Sequence, residues 1–568
     1  MTKKSRKNPP SSQGGRTVIK GSDIFVSALE NEGVVYIFGI PGEETLDLLE
    51  SLRKSKKIKF VPTRHEQGAI YMAANYARLT GKPAVCLATL GPGMLNFCNG
   101  AGYAQLNGMP LVLIAGQKGI KSRPQAGFQR VDAVATMKPL TKFAMQIASK
   151  EMIPSTVREA FRVTKEGKPG PVYLELPEDI AADKYEEVVA LIAPHQRDLP
   201  IASDTALDRA AARITTAKRP LLMFGAGASR AAVSRPGSTA EMAQFVNRTG
   251  IPFFTTQMGK GAVPENSSLY IGTAALSGGD YVHTAVDEAD LIITIGHDTT
   301  EKPPFIMKPK GPKVIHVDDT PAPVEQVYFP QLEVIGDIGP ALEALADRLE
   351  GKLPNAGGLL PLREEILSRI CNGADDASWP VTPDRLVHEV RKFMRESDIV
   401  ALDNGQYKLA FARSYRTYHP YTLLLDNELA TMGAGLPSAM MAAMINPERR
   451  VMAVCGDGGF MMTSQEIETA RRLKVNLVVL ILVDGSYGMI GSKQAARGFT
   501  DFGISFGNPD FVKLAEAYGA KGTRVETLDD LVPALEAAFE GGGVHLVALP
   551  IDYRIDELRS GKAKPPSA

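Results

Sequence analysis

Cysteine is scarce. Cys86, Cys98, Cys371 and Cys455 are the four thiols among 568 residues, and no two have the Cys-x-x-Cys spacing of a zinc site or a dithiol redox motif. So few scattered thiols exclude a disulfide scaffold and fit a reducing compartment such as the cytoplasm. Net charge is missing too: Lys+Arg and Asp+Glu each number 64. That balance gives no sign of the basic face that nucleic acid or an anionic membrane would require. No stretch reaches the ~18 uninterrupted apolar residues needed to span a bilayer. The segment 1–16 is basic and rich in Ser, Pro and Gly, with no apolar run after it. It reads as a disordered tail rather than a secretory signal.

What is present is ordinary globular material, 44% hydrophobic and 23% charged, and a length of this kind predicts about three domains. Short apolar runs alternate with helical patterns. They include Val34–Phe38, Ala84–Thr89, Pro110–Ala115, Pro171–Leu176, Leu221–Phe224, Leu291–Ile295, Lys313–Val317, Ile399–Leu402, Arg450–Cys455, Leu477–Val483 and His545–Leu549. Several are continuously apolar, the pattern of a parallel strand buried on both faces. The fold class predicted is α/β, with three domains, each a mainly parallel sheet flanked by helices. Pro- and charge-interrupted text near 190–203 and Gly/Pro-rich text near 351–380 place the domains at 17–188, 200–350 and 380–555.

The sharpest chemical signal lies in the third domain. The buried run Arg450–Cys455 leads directly into Gly456-Asp457-Gly458-Gly459, and the run Leu477–Val483 leads into Asp484-Gly485-Ser486-Tyr487-Gly488. Both aspartates thus fall at the carboxyl ends of parallel strands, where open α/β sheets bind ligands. Glycines let the backbone approach a phosphate, and a following helix start favours an anion. Two carboxylates at such a crevice suit Mg²⁺, which takes one or two carboxylates plus substrate phosphates.

The Gly-Asp-Gly triplet, followed by 24 residues (459–482) and then Val483-Asp484, resembles the diphosphate and Mg²⁺ motif of thiamine-diphosphate enzymes, which usually ends in Asn-Asn. Aspartate in place of the second asparagine keeps the ligating oxygen and adds charge. The resemblance implies Asp457, Asp484 and the Ser486 carbonyl as metal ligands. It extends to Phe38-Gly39-Ile40-Pro41-Gly42, Arg64-His65-Glu66-Gln67-Gly68-Ala69, Gly91-Pro92-Gly93 and Ala115-Gly116-Gln117. These stretches look like the pyrimidine-binding domain of the acetolactate synthase (acetohydroxyacid synthase) and pyruvate oxidase group. There the glutamate matching Glu66 hydrogen-bonds N1′ of the cofactor's aminopyrimidine, a task that suits a buried carboxyl able to share a proton. Met432, 25 positions before Asp457, matches the bulky apolar residue that props the cofactor into its bent form. Gly405-Gln406-Tyr407 and Gly456–Gly459 are expected at the diphosphate, together with Ser486, Tyr487, Gly488 and Met489. Pro41 and Gly42 are expected beside the cofactor as well.

Other departures narrow the reaction. The segment Ala126–Asp132 resembles the Phe-Gln stretch near the acetolactate synthase active site, which makes Gln129 a catalytic candidate. No His-His pair of the aldehyde-releasing decarboxylases occurs. A pocket with few proton donors suits a carboligase, which must shield a carbanion from water until a second keto acid arrives. Where biosynthetic members read Gln-Trp-Gln, this chain reads Ser492-Lys493-Gln494, and the loss of Trp points to pyruvate as acceptor. The central loop Gly225-Ala226-Gly227-Ala228-Ser229 is a Gly-rich turn, by itself a weak dinucleotide signal. Biosynthetic members bind FAD in this domain. Their Arg-Phe-Asp is replaced here by Gly296-His297-Asp298-Thr299-Thr300, which makes FAD possible but the less favoured cofactor and gives His297 a structural role. The expected reaction joins two pyruvates into 2-acetolactate with release of CO₂. Another thiamine enzyme acting on a 2-keto acid, a biosynthetic FAD-containing catalytic subunit and an inactive cofactor-binding homologue remain the alternatives. The resemblance further implies a homodimer or homotetramer, with Glu66 of one chain facing Asp457 of another. Whether a regulatory subunit binds is open at this level.

Overall fold

The computed structural model describes residues 19–121, 127–185, 189–194, 198–301, 307, 311, 313–370 and 373–554. The tail expected at 1–16, Ala126, Cys371 and residue 555 lie outside the described residues. Three six-stranded parallel sheets follow one another along the chain, each with helices between its strands.

The first sheet runs in the order Lys59–Pro62, Tyr36–Gly39, Ala84–Ala88, Leu111–Gln117, Pro171–Pro177, Phe143–Gln146. The third runs Leu423–Leu424, Ile399–Leu402, Val451–Gly456, Leu477–Val483, Val544–Pro550, Lys521–Arg524. Numbered within each domain, both orders read 2-1-3-4-6-5, so the two domains share one topology. The central sheet differs. Its order is Tyr270–Ala274, Phe253–Thr256, Pro220–Phe224, Leu291–Ile295, Lys313–Asp318, Leu332–Ile335, or 3-2-1-4-5-6. That is the order of dinucleotide-binding sheets, with its switch point between the first and fourth strands.

Each apolar run read from the sequence is a strand, within one or two residues at its ends. Most of the additional strands are edges. Phe143–Gln146, Lys59–Pro62 and Lys521–Arg524 are partly exposed along most of their length. An edge strand is buried on fewer sides and carries polar residues, so it lacks the continuous apolar pattern. Phe253–Thr256 is the internal exception; two threonines, Thr255 and Thr256, break its apolar run.

The first and third sheets are fused through a pair of helices. Glu66–Thr80 covers the first sheet and Gly435–Ile445 the third, and the two pack on each other. The sequence of the second, GLPSAMMAAMI, is apolar on nearly every face, as expected for a helix buried all round. One continuous core therefore runs from Cys86 and Leu113 through Ala69, Ala73, Leu436 and Met440 to Ala453 and Val479. Polar ties cross this seam. Asn75 Nδ2 donates to Ser438 Oγ at 2.7 Å, and Arg78 Nη2 donates to Asp426 Oδ1 at 2.5 Å. The Arg78 and Asp426 side chains are only 4% and 3% exposed. Removing one partner of such a pair leaves a buried charge uncompensated, at a cost of about 3–5 kcal/mol. Arg78→Ala should therefore lower the melting temperature well below that of an Arg78→Met/Asp426→Leu double variant, measured by calorimetry. A single variant as stable as the double would refute this reading of the seam.

Candidate active site

Glu66 is the first residue of its helix because His65 caps it. His65 is extended (φ −153°, ψ 144°), and its Nδ1 accepts from the Gln67 N–H at 3.1 Å. The Glu66 carboxyl is 5% exposed. Asn96 Nδ2 donates to its Oε2 at 2.9 Å, while Oε1 lies on the side of Gly93. Gly91 has φ +51°, and a Cβ there would stand 2.3 Å from the Gln129 carbonyl oxygen. Only glycine lets the two segments approach this closely. Gln129 itself is exposed and holds a left-handed φ of 55°. Such strain in a non-glycine residue gathers at functional sites. Gly42 closes against Thr89, whose Oγ1 donates to Glu44 Oε2 at 2.7 Å, and Lys118 pairs with Glu44 Oε1 at 2.7 Å. Pro41 stands exposed beside it. Glu66, Gly42, Gly91, Gly93 and Gln129 thus form one cluster at the carboxyl ends of the first sheet. Nearby, a polar cavity of about 340 Å³ is lined by Gln117, Arg130, Asp132, Gln146 and Glu175. Burial raises the pKa of Glu175, against the hydrogen bonds it accepts from Gln146, Gln117 and Tyr173.

The second cluster sits at the carboxyl ends of the third sheet. Asp457 Oδ2 accepts from the Asp484 N–H at 3.1 Å, the Gly485 N–H at 2.8 Å and Asn508 Nδ2 at 2.7 Å. The Asp484 carboxyl is half-buried, and burial and Asp457 together push its pKa up to about 7. A divalent cation between two such carboxylates would relieve the repulsion. The buried Asn508 Oδ1, which has no hydrogen-bond partner, adds an unspent oxygen beside them. Among the described residues no cluster of three or more Cys, His, Asp or Glu side chains gathers to hold a metal. Two carboxylates and the Ser486 carbonyl suit Mg²⁺, which keeps several waters and phosphates in its shell. The residues present therefore fit the expected ion.

Met432 is braced from both sides. Asn404 Nδ2 donates to the Thr431 carbonyl at 2.7 Å, and the Gly433 N–H donates to Asp403 Oδ1 at 2.9 Å. Asp403 is fully buried, which raises its pKa to about 6. Gly405 and Gln406 lie half-buried at the same edge. Gln406 Oε1 accepts from Ser492 Oγ at 2.7 Å, tying it to the helix Gly488–Ala496 that follows Ser486 and Tyr487 and contains Met489. Tyr407 sits elsewhere than at an open surface. It is 1% exposed, and its hydroxyl accepts from the Gly456 N–H at 3.0 Å. It supports the loop of Gly456, Gly458 and Gly459 from beneath.

No hydrogen bond among the described residues joins Glu66 directly to the Asp457 cluster; the link runs through Glu466. This residue, 0% exposed, follows the Asp457 loop and reaches across to the first domain. Its Oε1 accepts from the His65 N–H at 3.0 Å and the Arg64 N–H at 3.1 Å, and its Oε2 from Thr469 Oγ1 at 2.7 Å. Burial raises its pKa despite these donors. Glu466, Asn96, Asp403, Asn404 and Asn508 were not legible as site residues from sequence. Asp403 carried the one usable signal, an acid directly after a buried strand, as with Asp457 and Asp484.

The N-terminal thiamine pyrophosphate enzyme TPP-binding domain matches residues 19–136, its central domain residues 207–345, and its C-terminal TPP-binding domain residues 403–549. The chain is 34% identical over 549 residues to the catabolic acetolactate synthase of Raoultella terrigena, covering 95% of this chain and 97% of that one. It is 31% identical over 541 residues to the acetolactate synthase of Bacillus subtilis, covering 94% and 93%. To the Escherichia coli acetolactate synthase isozyme 1 large subunit it is 29% identical over 541 residues, covering 94% of each.

Glu466→Ala removes a carboxyl that accepts two backbone N–H groups and a hydroxyl. Hydrogen bonds to charged groups contribute about 1.5–3 kcal/mol. Amide hydrogen exchange at Arg64 and His65 should then quicken by roughly 10–100-fold, with Glu466→Gln intermediate. Unchanged exchange in Glu466→Ala would show that the helix start is held by other contacts.

Proposed function

Because the chain belongs to the acetolactate synthase family of thiamine-diphosphate-dependent enzymes, we propose that it condenses two pyruvates into 2-acetolactate with release of CO₂. The observation that carries this reading is the pairing of a buried carboxyl, Glu66, at one sheet end with the Asp457–Asp484 pair at another of the same topology. When bound, thiamine diphosphate supplies the electron sink for the keto carbon.

The chain's own residues do the rest. Asn96 occupies one oxygen of Glu66, which leaves the other to hold or release a proton at the cofactor's N1′. Asp457, Asp484 and the Ser486 carbonyl would hold Mg²⁺, and the loop 456–459 and the Gly405–Gln406 edge would receive the diphosphate. Asp403 and Asn404 brace the backbone on either side of Met432, whose side chain would support the bound cofactor. Gln129, exposed on its strained loop next to Gly91, is the side chain assigned to the second keto acid in this reading. Residues 492–494 read Ser-Lys-Gln with no indole among them, which favours pyruvate over a longer acceptor. The functional unit is a homodimer or a homotetramer built from it, with Glu66 from one protomer and Asp457 from its partner at each site. Among the described residues no helix is long and apolar enough to cross a membrane.

The test is a pyruvate assay with thiamine diphosphate and Mg²⁺, without flavin, with the product identified by chromatography. Acetolactate should form, turning to acetoin on acid treatment, and chelation should abolish the reaction until Mg²⁺ is restored. Glu66→Gln should lower turnover about 10²–10⁴-fold, the usual contribution of a positioned proton-transfer group. Acetaldehyde as sole product would reject the carboligase. Full turnover by Glu66→Gln would reject the role of the carboxyl.

A further inference from the structure

The central domain has the build of a dinucleotide site. Its sheet runs 3-2-1-4-5-6, and the Gly-rich loop Gly225–Ser229 follows the first strand and opens the helix Ala226–Ser234. At the switch point lies a cleft of about 1530 Å³, lined among others by Ala226, Gly227, Arg230, His297, Asp298 and Asp318. By the general rule for open α/β sheets, a diphosphate would rest on the amides of this loop.

Those amides are already engaged. The Ala226 N–H donates to Glu301 Oε2 at 2.9 Å, the Gly227 N–H to the Gly296 carbonyl at 2.7 Å and the Ala228 N–H to the Gly225 carbonyl at 3.1 Å. Gly296, with φ +63°, lies so close that a Cβ on it would stand 2.1 Å from the Ala228 nitrogen. The Glu301 carboxyl is 1% exposed and takes two further donors, Thr256 Oγ1 at 2.6 Å and the Met258 N–H at 3.1 Å. Burial, with Glu428 and Asp298 nearby, raises its pKa to about 8. A diphosphate at the same point would have to displace this carboxyl from all three donors. Arg230, on the helix that the loop opens, pairs through Nη2 with Asp298 at 3.4 Å.

We infer that Glu301 is a built-in cap on the Gly-rich loop of the central domain, filling the place of a dinucleotide's diphosphate, so that this chain carries no flavin there. The residues do not fit FAD. The cleft beyond the loop is the remnant of a dinucleotide site whose anchoring point is occupied by the protein itself.

The experiment needs no turnover. The full-length protein is purified, denatured, and its supernatant read for flavin absorbance and fluorescence. Titration of the native protein with FAD follows. No released flavin and no saturable binding are expected. With the third domain's diphosphate site filled by saturating thiamine diphosphate and excess Mg²⁺, melting temperatures are then compared with and without inorganic pyrophosphate. Glu301→Ala should melt several degrees lower, roughly the 2–4 °C per kcal/mol expected for a large chain. Pyrophosphate should restore part of that loss in Glu301→Ala and shift neither the wild type nor Glu301→Gln, which keeps the volume and one acceptor oxygen. Flavin released at one per chain would overturn the inference. So would pyrophosphate raising the wild type as much as Glu301→Ala, or failing to raise Glu301→Ala. If Glu301→Ala does not fold, the wild-type flavin measurement and the silent Glu301→Gln still decide.

Discussion

The packing of two helices, Glu66–Thr80 on Gly435–Ile445, is the constraint on which the site depends. Glu66 is the first residue of one helix, and Met432 stands three residues before the other. Whatever fixes the crossing of these helices therefore fixes where one chain presents Glu66 and Met432, the parts it would contribute to two different sites. The contact is dry and closely packed, with Ala69, Ala73, Leu436 and Met440 fully buried. Each fully buried large apolar side chain contributes about 1.5–3 kcal/mol. Polar groups then set the register: Tyr71 with Thr431, Asn75 with Ser438, Arg78 with Asp426. A buried polar pair is costly if misaligned, so these ties specify one alignment of an otherwise featureless apolar seam.

The same geometry explains the division of labour. Two sheets of identical order present their carboxyl ends as binding edges. One edge carries Glu66, with one carboxyl oxygen taken by Asn96, and the other a pair of carboxylates and glycine-rich turns suited to a metal and phosphates. Glu466 connects the edges within one chain by accepting the amides that precede Glu66. The central domain keeps the dinucleotide sheet order, and Glu301 bonds the first amide of its Gly-rich loop.

The internal strands and the residues that end them were legible in the sequence for one reason. A parallel strand buried on both faces must be continuously apolar, and a polar residue at its end is then conspicuous. Asp457 and Asp484 stood out in this way. Edge strands such as Lys521–Arg524 escaped because solvent on one side permits polar residues. Asn96, Glu466 and Asn508 escaped for a different reason. Each acts through a partner distant in sequence: 30 positions separate Asn96 from Glu66, and 401 separate Glu466 from His65. Local pattern carries no record of such pairings. Tyr407 shows the converse: its place in the motif was plain, but only the fold places its hydroxyl beneath the Gly456 loop.

The central claim is that one chain keeps Glu66 and Asp457 in separate clusters, so that each working site is assembled from two protomers. It is tested most directly by mixing two inactive variants, Glu66→Gln and Asp457→Ala, under conditions that exchange subunits. A mixed dimer then holds one site with both defects and one with neither. The account predicts that activity returns to about one quarter of the wild-type level after random exchange, as twofold symmetry requires. No recovery, with mixed dimers demonstrated, would place both residues of a site in the same chain and contradict the account.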